Sequence, residues 1–213
     1  IICHHRNLKI MAIKLGKIRT SKTELVDISK AWIAISIAFA FVLSNTTIFS
    51  GGIFTFKFVL FFAVSLVTAG IGFLLHELGH KFVAQHYGCV AEFRAFNQML
   101  YLAVGLAAVI GFIFAAPGAV MISGHITRKE NGIISAAGPI VNYVLGVGFL
   151  IAGLFFQGQL IDIVISVGFM INMWLGLFNM LPFGNFDGKK ILNWSRVAWS
   201  VMVVFGVYFT FFL

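Results

Sequence analysis

Five consecutive residues, His76-Glu77-Leu78-Gly79-His80, have the types and the spacing of a metal site. Histidines four positions apart lie on one face of a helix, one turn from each other, where both imidazoles can bind a single zinc ion. A glutamate beside them can take a proton from a water molecule that such an ion activates. The motif therefore indicates metal-dependent hydrolysis, with His76 and His80 as ligands and Glu77 as the general base.

The position of this motif in the chain strengthens that interpretation. The motif ends a long apolar block, and ionisable groups at membrane depth are costly and are functional candidates by default. The alternative is that the helix has already left the membrane at His76, so that the three side chains are only solvated. Lys81 and Gly88, a typical helix-ending residue, indicate that the membrane edge is near.

A catalytic zinc ion normally has three protein ligands, and the sequence offers three sources for the last one. His86 has the spacing of a longer motif in which a glycine bends the chain, but Val83 stands at the position of that glycine. Glu92 and Glu130 lie in charged segments, and we expect both to be solvated surface acids. The remaining source is Asp187.

Asp187 is the candidate that its surroundings favour. It follows Pro182, which ends a helix, and it lies between Gly184 and Gly188, which permit a tight turn able to direct the carboxylate inward. The charge distribution described below puts this turn at the same membrane depth as the histidine pair. An ordinary helix-terminating turn is the alternative.

The composition excludes a soluble domain. Of the 213 residues, 60% are hydrophobic and only 10% are charged, whereas soluble domains carry about a quarter charged residues. Two cysteines, Cys3 and Cys89, are too few for a disulfide scaffold. The net charge of +8 does not indicate nucleic-acid binding, because the basic residues lie in short runs between apolar blocks and form no basic face interleaved with aromatic residues.

The apolar blocks set the fold class. A membrane-spanning helix needs about 20 mainly apolar residues, and the sequence predicts an all-α polytopic membrane protein with five crossings. We expect these crossings at residues 32–49, 58–80, 134–156, 160–181 and 197–213. The chain ends within the last block, which leaves room for a sixth crossing beyond it.

The basic residues give the expected orientation. If the five blocks cross in turn, fourteen of the fifteen Lys and Arg lie on the side of the N-terminus, and Lys57 lies on the other. This fits the positive-inside rule with a cytosolic N-terminus and a cytosolic opening of the histidine site. A further apolar stretch is interrupted at Ala116-Pro117-Gly118 and has basic residues on both sides. We therefore predict that residues 91–125 re-enter the membrane from the cytosolic side or form β-strands at its edge.

Three motifs in this order resemble those of the site-2 protease family of intramembrane zinc metalloproteases. They are the His-Glu-x-x-His sequence on the second block, an Ala-Gly-Pro-x-x-Asn sequence on the third and an Asn-x-x-Pro-(x)4-Asp-Gly sequence ending the fourth. The second motif is Ala137-Gly138-Pro139-Ile140-Val141-Asn142. Phe186 stands where the family usually has leucine, which alters packing more than chemistry.

The resemblance implies roles for individual residues. The zinc ligands would be His76, His80 and Asp187, with Glu77 as the general base. For Asn142 and Asn179 it implies contact with the substrate backbone or with the transition-state oxyanion; hydrogen bonds between helices inside the bundle are the alternative.

The resulting domain organisation has two parts. Residues 1–30 form a basic cytosolic segment, and the ten residues before Met11 are interpreted as a non-native extension. Residues 31–213 form one integral-membrane zinc-protease domain with its core at residues 58–190.

We therefore predict an enzyme that hydrolyses a peptide bond within or near the transmembrane helix of a membrane-protein substrate. Its partners would be that transmembrane segment and the lipid bilayer. A membrane metal transporter is one alternative, because intramembrane His and acidic residues also line ion pathways. Apart from Asp162, however, the outer halves of the spans carry few polar groups. A catalytically inactive scaffold that keeps the fold is the other alternative.

Overall fold

The computed structural model describes residues 2–3, 13–15, 18–51, 55–113 and 117–213, with side chains from residue 19 onward. Most of the expected extension before Met11, and Ala116 at the interruption of the apolar stretch, lie outside the described residues. In chain order the strands are β1 (Ile2–Cys3), β2 (Ile13–Leu15), β3 (Ile18–Thr20), β4 (Val90–Ala95) and β5 (Gly118–Ser123). The helices are α1 (Lys22–Ser44), α2 (Phe56–Ser65), α3 (Ile71–His86), α4 (Asn97–Ile110), α5 (Arg128–Ala152), α6 (Gln159–Asn179), α7 (Asp187–Trp194) and α8 (Arg196–Phe211).

Within this described part, four helical stretches are long and apolar enough to cross a membrane. They are α1, the continuous helix Phe56–His86 that contains α2 and α3, and then α5 and α6. These stretches overlap the first four predicted blocks. Helix α8 has 16 residues, so the fifth crossing stays a prediction.

Helix α1 begins ten residues before the predicted block, because a cap forms at its N-terminus. The Ser21 side chain accepts a hydrogen bond of 3.1 Å from the main-chain nitrogen of Glu24. Serine at this position satisfies one of the main-chain N–H groups that a helix start leaves without a partner. The helix therefore extends the apolar block with a polar first turn.

A π turn, Leu66–Gly70, joins α2 to α3 just before the histidine motif. The indole Nε1 of Trp32 on α1 donates a hydrogen bond of 2.9 Å to the Leu66 carbonyl inside this turn. Gly70 lets the indole approach, because a Cβ at this position would lie 2.5 Å from Cδ1 of Trp32. Isolated π turns within helices are frequent at functional sites. Here the turn and its indole partner hold α1 against the helix that carries the motif.

The segment predicted to re-enter the membrane folds back on itself. Strands β4 and β5 pair antiparallel, from Val90 opposite Ser123 to Ala95 opposite Gly118, so the two ends of α4 lie side by side. Strand β1 pairs with β5 in parallel, and β2 pairs with β3. Strands were one of the two predicted alternatives, whereas helix α4 between them was not anticipated. Re-entry into the membrane stays a prediction.

A buried ion pair connects α1 with α3. The Lys81 ammonium lies 2.6 Å from Oε2 of Glu24, and both residues are at most 1% exposed. Oε1 of Glu24 accepts a hydrogen bond of 2.9 Å from the main-chain nitrogen of Phe93 on β4. The carboxylate therefore links the N-terminal helix to the sheet and to the helix that carries the histidines.

Glu92 belongs to the same buried cluster, and its expected exposure to solvent was wrong. It is 2% exposed, it accepts a hydrogen bond from the Ser21 hydroxyl, and it lies 2.6 Å from a guanidinium nitrogen of Arg94. The physical reason is tertiary: the start of α1 covers β4, which the local run of charges does not reveal.

Candidate metal centre

Two imidazoles and one carboxylate converge where α3, α5 and α7 meet. His76 and His80 lie one turn apart on α3, and their Nε2 atoms are 3.1 Å apart. Oδ2 of Asp187 lies 3.4 Å from Nε2 of His76 and 3.0 Å from Nε2 of His80. All three residues are buried. The two motifs, more than 100 positions apart in the chain, thus place three donor atoms at one point.

The separations of these donor atoms match a tetrahedral zinc site. Ligand atoms at about 2.0–2.1 Å from a tetrahedral ion lie about 3.3 Å from one another. The three observed separations run from 3.0 to 3.4 Å. Two nitrogens and one oxygen are also the ligand types that catalytic zinc takes, with a fourth position left open.

Gly138 on α5 leaves the space that an ion between these atoms needs. A Cβ at this position would lie 2.5 Å from Nε2 of His76 and 2.5 Å from Nε2 of His80. Any other residue type would therefore fill the volume between the two imidazoles. Sequence reasoning placed Gly138 in a family motif but gave it no role.

Hydrogen bonds at the other ring nitrogen orient both imidazoles. Nδ1 of His76 faces Oδ1 of Asn142 at 2.6 Å, and Nδ1 of His80 faces the main-chain oxygen of Ile134 at 2.7 Å. Both partners are oxygens that only accept, so each Nδ1 carries a proton and donates it. Each Nε2 then has a lone pair that faces the centre. This tautomer, with the proton on Nδ1, is the one that metal binding through Nε2 requires.

Asp187 reaches the centre because the chain turns sharply between α6 and α7. Gly188 permits this turn, because a Cβ there would overlap the main-chain carbonyl of Met180 at the end of α6. The indole of Trp199 on α8 donates a hydrogen bond of 2.8 Å to the same carbonyl. The turn is therefore held from α8, and it presents the carboxylate of the first residue of α7 to the histidines.

The imidazoles also act on the protonation of Asp187. Burial alone would raise the pKa of its carboxyl, but His80 and His76, when they carry a proton on Nε2 in place of a metal ion, outweigh burial and hold that pKa well below its usual range. The Lys190 ammonium lies 3.5 Å from the other carboxylate oxygen, Oδ1. A deprotonated carboxylate is the form that binds a metal ion.

Glu77 lies beside the histidines and is held by the sheet. Its carboxylate and the ring nitrogens of His76 and His80 lie within 4.8 Å of one another. Oε2 of Glu77 accepts a hydrogen bond of 3.1 Å from the main-chain nitrogen of Val120 on β5. The glutamate is therefore near enough to share in metal binding, but Val120 engages its carboxylate, whereas Oδ2 of Asp187 faces both imidazoles.

A cavity of about 270 Å³ opens onto this cluster. Helix α6, the turn before α7 and the ends of β4 and β5 form most of its wall, with contributions from Phe96, Pro117, Gly118, Ala119, Phe178, Asn179, Asn185 and Phe186. An apolar cavity of about 540 Å³ lies next to it between α1, α4 and α6. Both cavities share the wall residues Phe73, Pro117, Leu175, Phe178 and Phe186.

The two asparagines suggested for substrate contact have different environments. Asn142 is completely buried, and its amide nitrogen donates to the Gly72 carbonyl and to Oδ1 of Asn172 at 3.1 and 3.0 Å. Asn179 is partly buried in the cavity wall and donates to the Leu175 carbonyl at 2.9 Å. The amide of Asn142 thus makes hydrogen bonds between helices, which is the alternative role. Asn172 was missed, although an asparagine within an apolar span is itself a signal.

The other candidates for a third ligand have separate local roles. His86 ends α3 and its ring packs on Tyr87, with 5.6 Å between ring centres. Glu92 belongs to the buried cluster with Arg94. Glu130 accepts hydrogen bonds from the main-chain nitrogen and the hydroxyl of Thr127 and so caps α5.

Comparison with known proteins decides the family. The chain is 40% identical over 186 residues to the protein named "Putative zinc metalloprotease MJ0611" of Methanocaldococcus jannaschii, a match that covers 86% of this chain and 91% of the relative. The chain belongs to the family of this relative. No family model matches the chain, and no solved structure matches it.

Two further relatives are more distant. "Zinc metalloprotease MJ0392" of the same organism is 31% identical over 139 residues, which are 63% of this chain and 34% of that protein. "Putative zinc metalloprotease YwhC" of Bacillus subtilis is 27% identical over 154 residues, which are 60% of this chain and 67% of that protein. All three relatives thus have names of zinc metalloproteases.

Proposed function

We propose that this chain is an intramembrane zinc metalloprotease of the site-2 protease type. It hydrolyses a peptide bond within or near the transmembrane helix of a membrane-protein substrate. The observation that carries the proposal is the convergence of His76, His80 and Asp187, with Glu77 beside them, on a bundle whose helices are apolar enough to span a membrane. The zinc metalloprotease names of its relatives support the same chemistry.

The donor set fits a resident zinc ion. His76, His80 and Asp187 would hold it, with both Nδ1 protons engaged on the far side of the rings. A bound zinc ion supplies Lewis-acid activation of a water molecule and of the scissile carbonyl. The fourth position would face the cavity that opens onto the cluster.

Glu77 performs the proton transfers. It accepts a proton from the attacking water as the water oxygen bonds to the scissile carbonyl carbon. It then delivers this proton to the amide nitrogen as the carbon–nitrogen bond breaks, so that the products are a carboxyl group and an amine. The N–H of Val120 keeps the Glu77 carboxylate in place between these steps.

The substrate enters from the membrane, and the site opens to the cytosol. The basic residues support this orientation, since fourteen of fifteen lie on the side of the N-terminus and of the histidine motif. Main-chain groups of a helical substrate are hydrogen-bonded within the helix. The substrate must therefore unwind locally before its scissile carbonyl can enter the site beside Glu77.

The variant Glu77→Gln tests the proposed function. The full chain, purified in detergent, is assayed for zinc content and for cleavage of single-span test substrates of mixed sequence. We expect Glu77→Gln to keep about one zinc per chain and to lose cleavage by about 10²–10⁴-fold, the usual contribution of a general base. The matched control is Glu130→Gln, which changes a glutamate that caps α5 and should keep both properties. A wild-type protein without zinc, or a Glu77→Gln protein that cleaves as the wild type does, contradicts the proposal.

A further inference from the structure

A chain of buried amides leads from His76 across the bundle to α6. Nδ1 of His76 donates to Oδ1 of Asn142 at 2.6 Å, and Nδ2 of Asn142 donates to Oδ1 of Asn172 at 3.0 Å. Nδ2 of Asn172 in turn donates to the Gly168 carbonyl at 2.8 Å. Both asparagines are completely buried. The chain joins α3, α5 and α6 at the level of the candidate metal centre.

Two main-chain carbonyls, of Gly168 and of Gly72, set the direction of the hydrogen bonds in this chain. The Gly168 carbonyl only accepts, so the Asn172 amide must turn its nitrogen to Gly168 and its oxygen to Asn142. That oxygen also only accepts, so Asn142 must offer its nitrogen there and its oxygen to His76. The imidazole proton is thereby held on Nδ1, and the lone pair of Nε2 faces the centre.

Gly72 makes room for the chain on α3. It lies one turn before His76, on the same face of the helix. A Cβ at Gly72 would overlap Oδ1 of Asn172, and it would lie 3.1 and 3.2 Å from Cγ and Nδ2 of that amide. The Gly72 carbonyl also accepts the second N–H of Asn142 at 3.1 Å. Gly72 therefore leaves space for the Asn172 amide, and its carbonyl orients the Asn142 amide.

We propose that Asn172 is a positioning residue for the metal centre, which acts through Asn142 to fix the orientation and the tautomer of His76. The inference rests on the proposed function, in which His76 binds zinc. Asn172 itself lies outside the ligand set. Partners that orient metal-bound histidines typically change metal affinity or activity by about 10–100-fold when they are removed.

Two substitutions of Asn172 separate this role from helix packing. Asn172→Leu removes the oxygen that Asn142 needs, whereas the isosteric Asn172→Asp keeps an oxygen at the same place. If Asn172 only packed helices together, Asp would do more harm than Leu, because an acidic group within the bundle is costly. If Asn172 positions His76, Asn172→Leu should instead lose more zinc affinity than Asn172→Asp.

The experiment measures zinc affinity by competition with a coloured chelator, the visible spectrum of the cobalt-substituted protein, and thermal unfolding. It uses the full chain in detergent. We expect Asn172→Leu to bind zinc about 10–100-fold more weakly than the wild type and to change the cobalt spectrum. Asn172→Asp should bind more tightly than Asn172→Leu and keep the wild-type spectrum. The control Met173→Leu, at the adjacent buried position on α6, should leave both unchanged.

Gly72→Ala perturbs the same chain from α3 without removing a hydrogen-bonding group. It should weaken zinc binding in the same direction, and it decides the question if Asn172→Leu does not fold. The inference is overturned if Asn172→Leu keeps the zinc affinity and the cobalt spectrum of the wild type. If Asn172→Leu does not fold, the same result in Gly72→Ala overturns it. A greater loss of zinc affinity in Asn172→Asp than in Asn172→Leu also overturns it. A wild-type chain that binds no zinc contradicts the proposed function instead.

Discussion

Among single residues, a glycine matters to the candidate metal centre as much as the proposed ligands do. Gly138 approaches both histidines so closely that a methyl group would lie 2.5 Å from each Nε2. Both imidazoles are already held in place by the hydrogen bonds that they donate to Asn142 and to the Ile134 carbonyl. The imidazoles therefore cannot move aside without breaking those bonds.

Gly138→Ala should abolish zinc binding while the bundle still folds. The added methyl group fills the space between the imidazoles, so zinc content measured by atomic emission should fall from about one per chain to near zero, a loss larger than the 10–100-fold typical of outer partners. Gly148→Ala on the same helix is the matched control, because a Cβ there meets no atom within 4 Å. Stoichiometric zinc in Gly138→Ala would contradict the placement of the ion.

The residues that sequence could predict are those whose geometry is local. His76, Glu77 and His80 follow from helical spacing alone, and the turn around Asp187 follows from its proline and glycines. The pairing of Asn142 with Asn172 depends on how two helices are rotated about their axes, which no local pattern gives. The burial of Glu92 likewise depends on a helix start 71 positions away that contacts it.

At the scale of elements, strand β5 connects the sheet to the proposed general base. The main-chain nitrogen of Val120 donates to Glu77 at 3.1 Å, although the strand also pairs with β4. This N–H points toward α3 and is not part of the ladder with β4. The sheet therefore sets the position of the glutamate on the helix beside it.

Val120→Pro tests this connection, since proline removes the N–H group that Glu77 accepts, and this group lies outside the ladder with β4. We expect zinc content to stay at the wild-type level and cleavage to slow by about 10–100-fold, as the loss of about 1.5–3 kcal/mol from a hydrogen bond to a charged group implies. Val120→Ala keeps the N–H and should cleave as the wild type does. Equal cleavage by Val120→Pro and Val120→Ala would show that the sheet does not position Glu77.

The presence of the long helices was predictable from apolar length, but their boundaries were not. The four long helical stretches overlap four predicted blocks, with ends that differ by up to ten residues. Helix α4 was missed because its residues are continuously apolar from Met99 onward and the helix lies between two strands, so no periodicity marks the change from strand to helix. Gly111, with φ of 70°, ends that helix in the left-handed conformation that glycine adopts without strain.

At the scale of the whole molecule, the basic residues predict one orientation in the membrane. A cysteine at the exposed position Lys57 should react with a membrane-impermeant maleimide from the outside of intact cells. A cysteine at the exposed position Lys189 should react only after the membrane is opened. Both variants are made with serine at Cys3 and Cys89. Labelling of Lys189→Cys in intact cells would contradict the predicted orientation.

The bundle as a whole follows from composition and charge, but its centre does not. Apolar blocks and the placement of Lys and Arg predict which segments cross and in which direction. The meeting of α3 with α7 needs the turn at Met180 and the indole of Trp199 that holds it. Such contacts over long sequence distances are tertiary, so the distance between His80 and Asp187 could be found only in the structure.

The whole proposal depends on one zinc ion between α3 and α7, for which we propose His76, His80 and Asp187 as ligands. The most direct measurement is anomalous diffraction at the zinc absorption edge from crystals of the full chain. We expect one strong peak about 2.0–2.2 Å from Nε2 of each histidine and from an Asp187 carboxylate oxygen. A zinc-loaded protein with its peak elsewhere, or with Asp187 outside coordination distance, would contradict it.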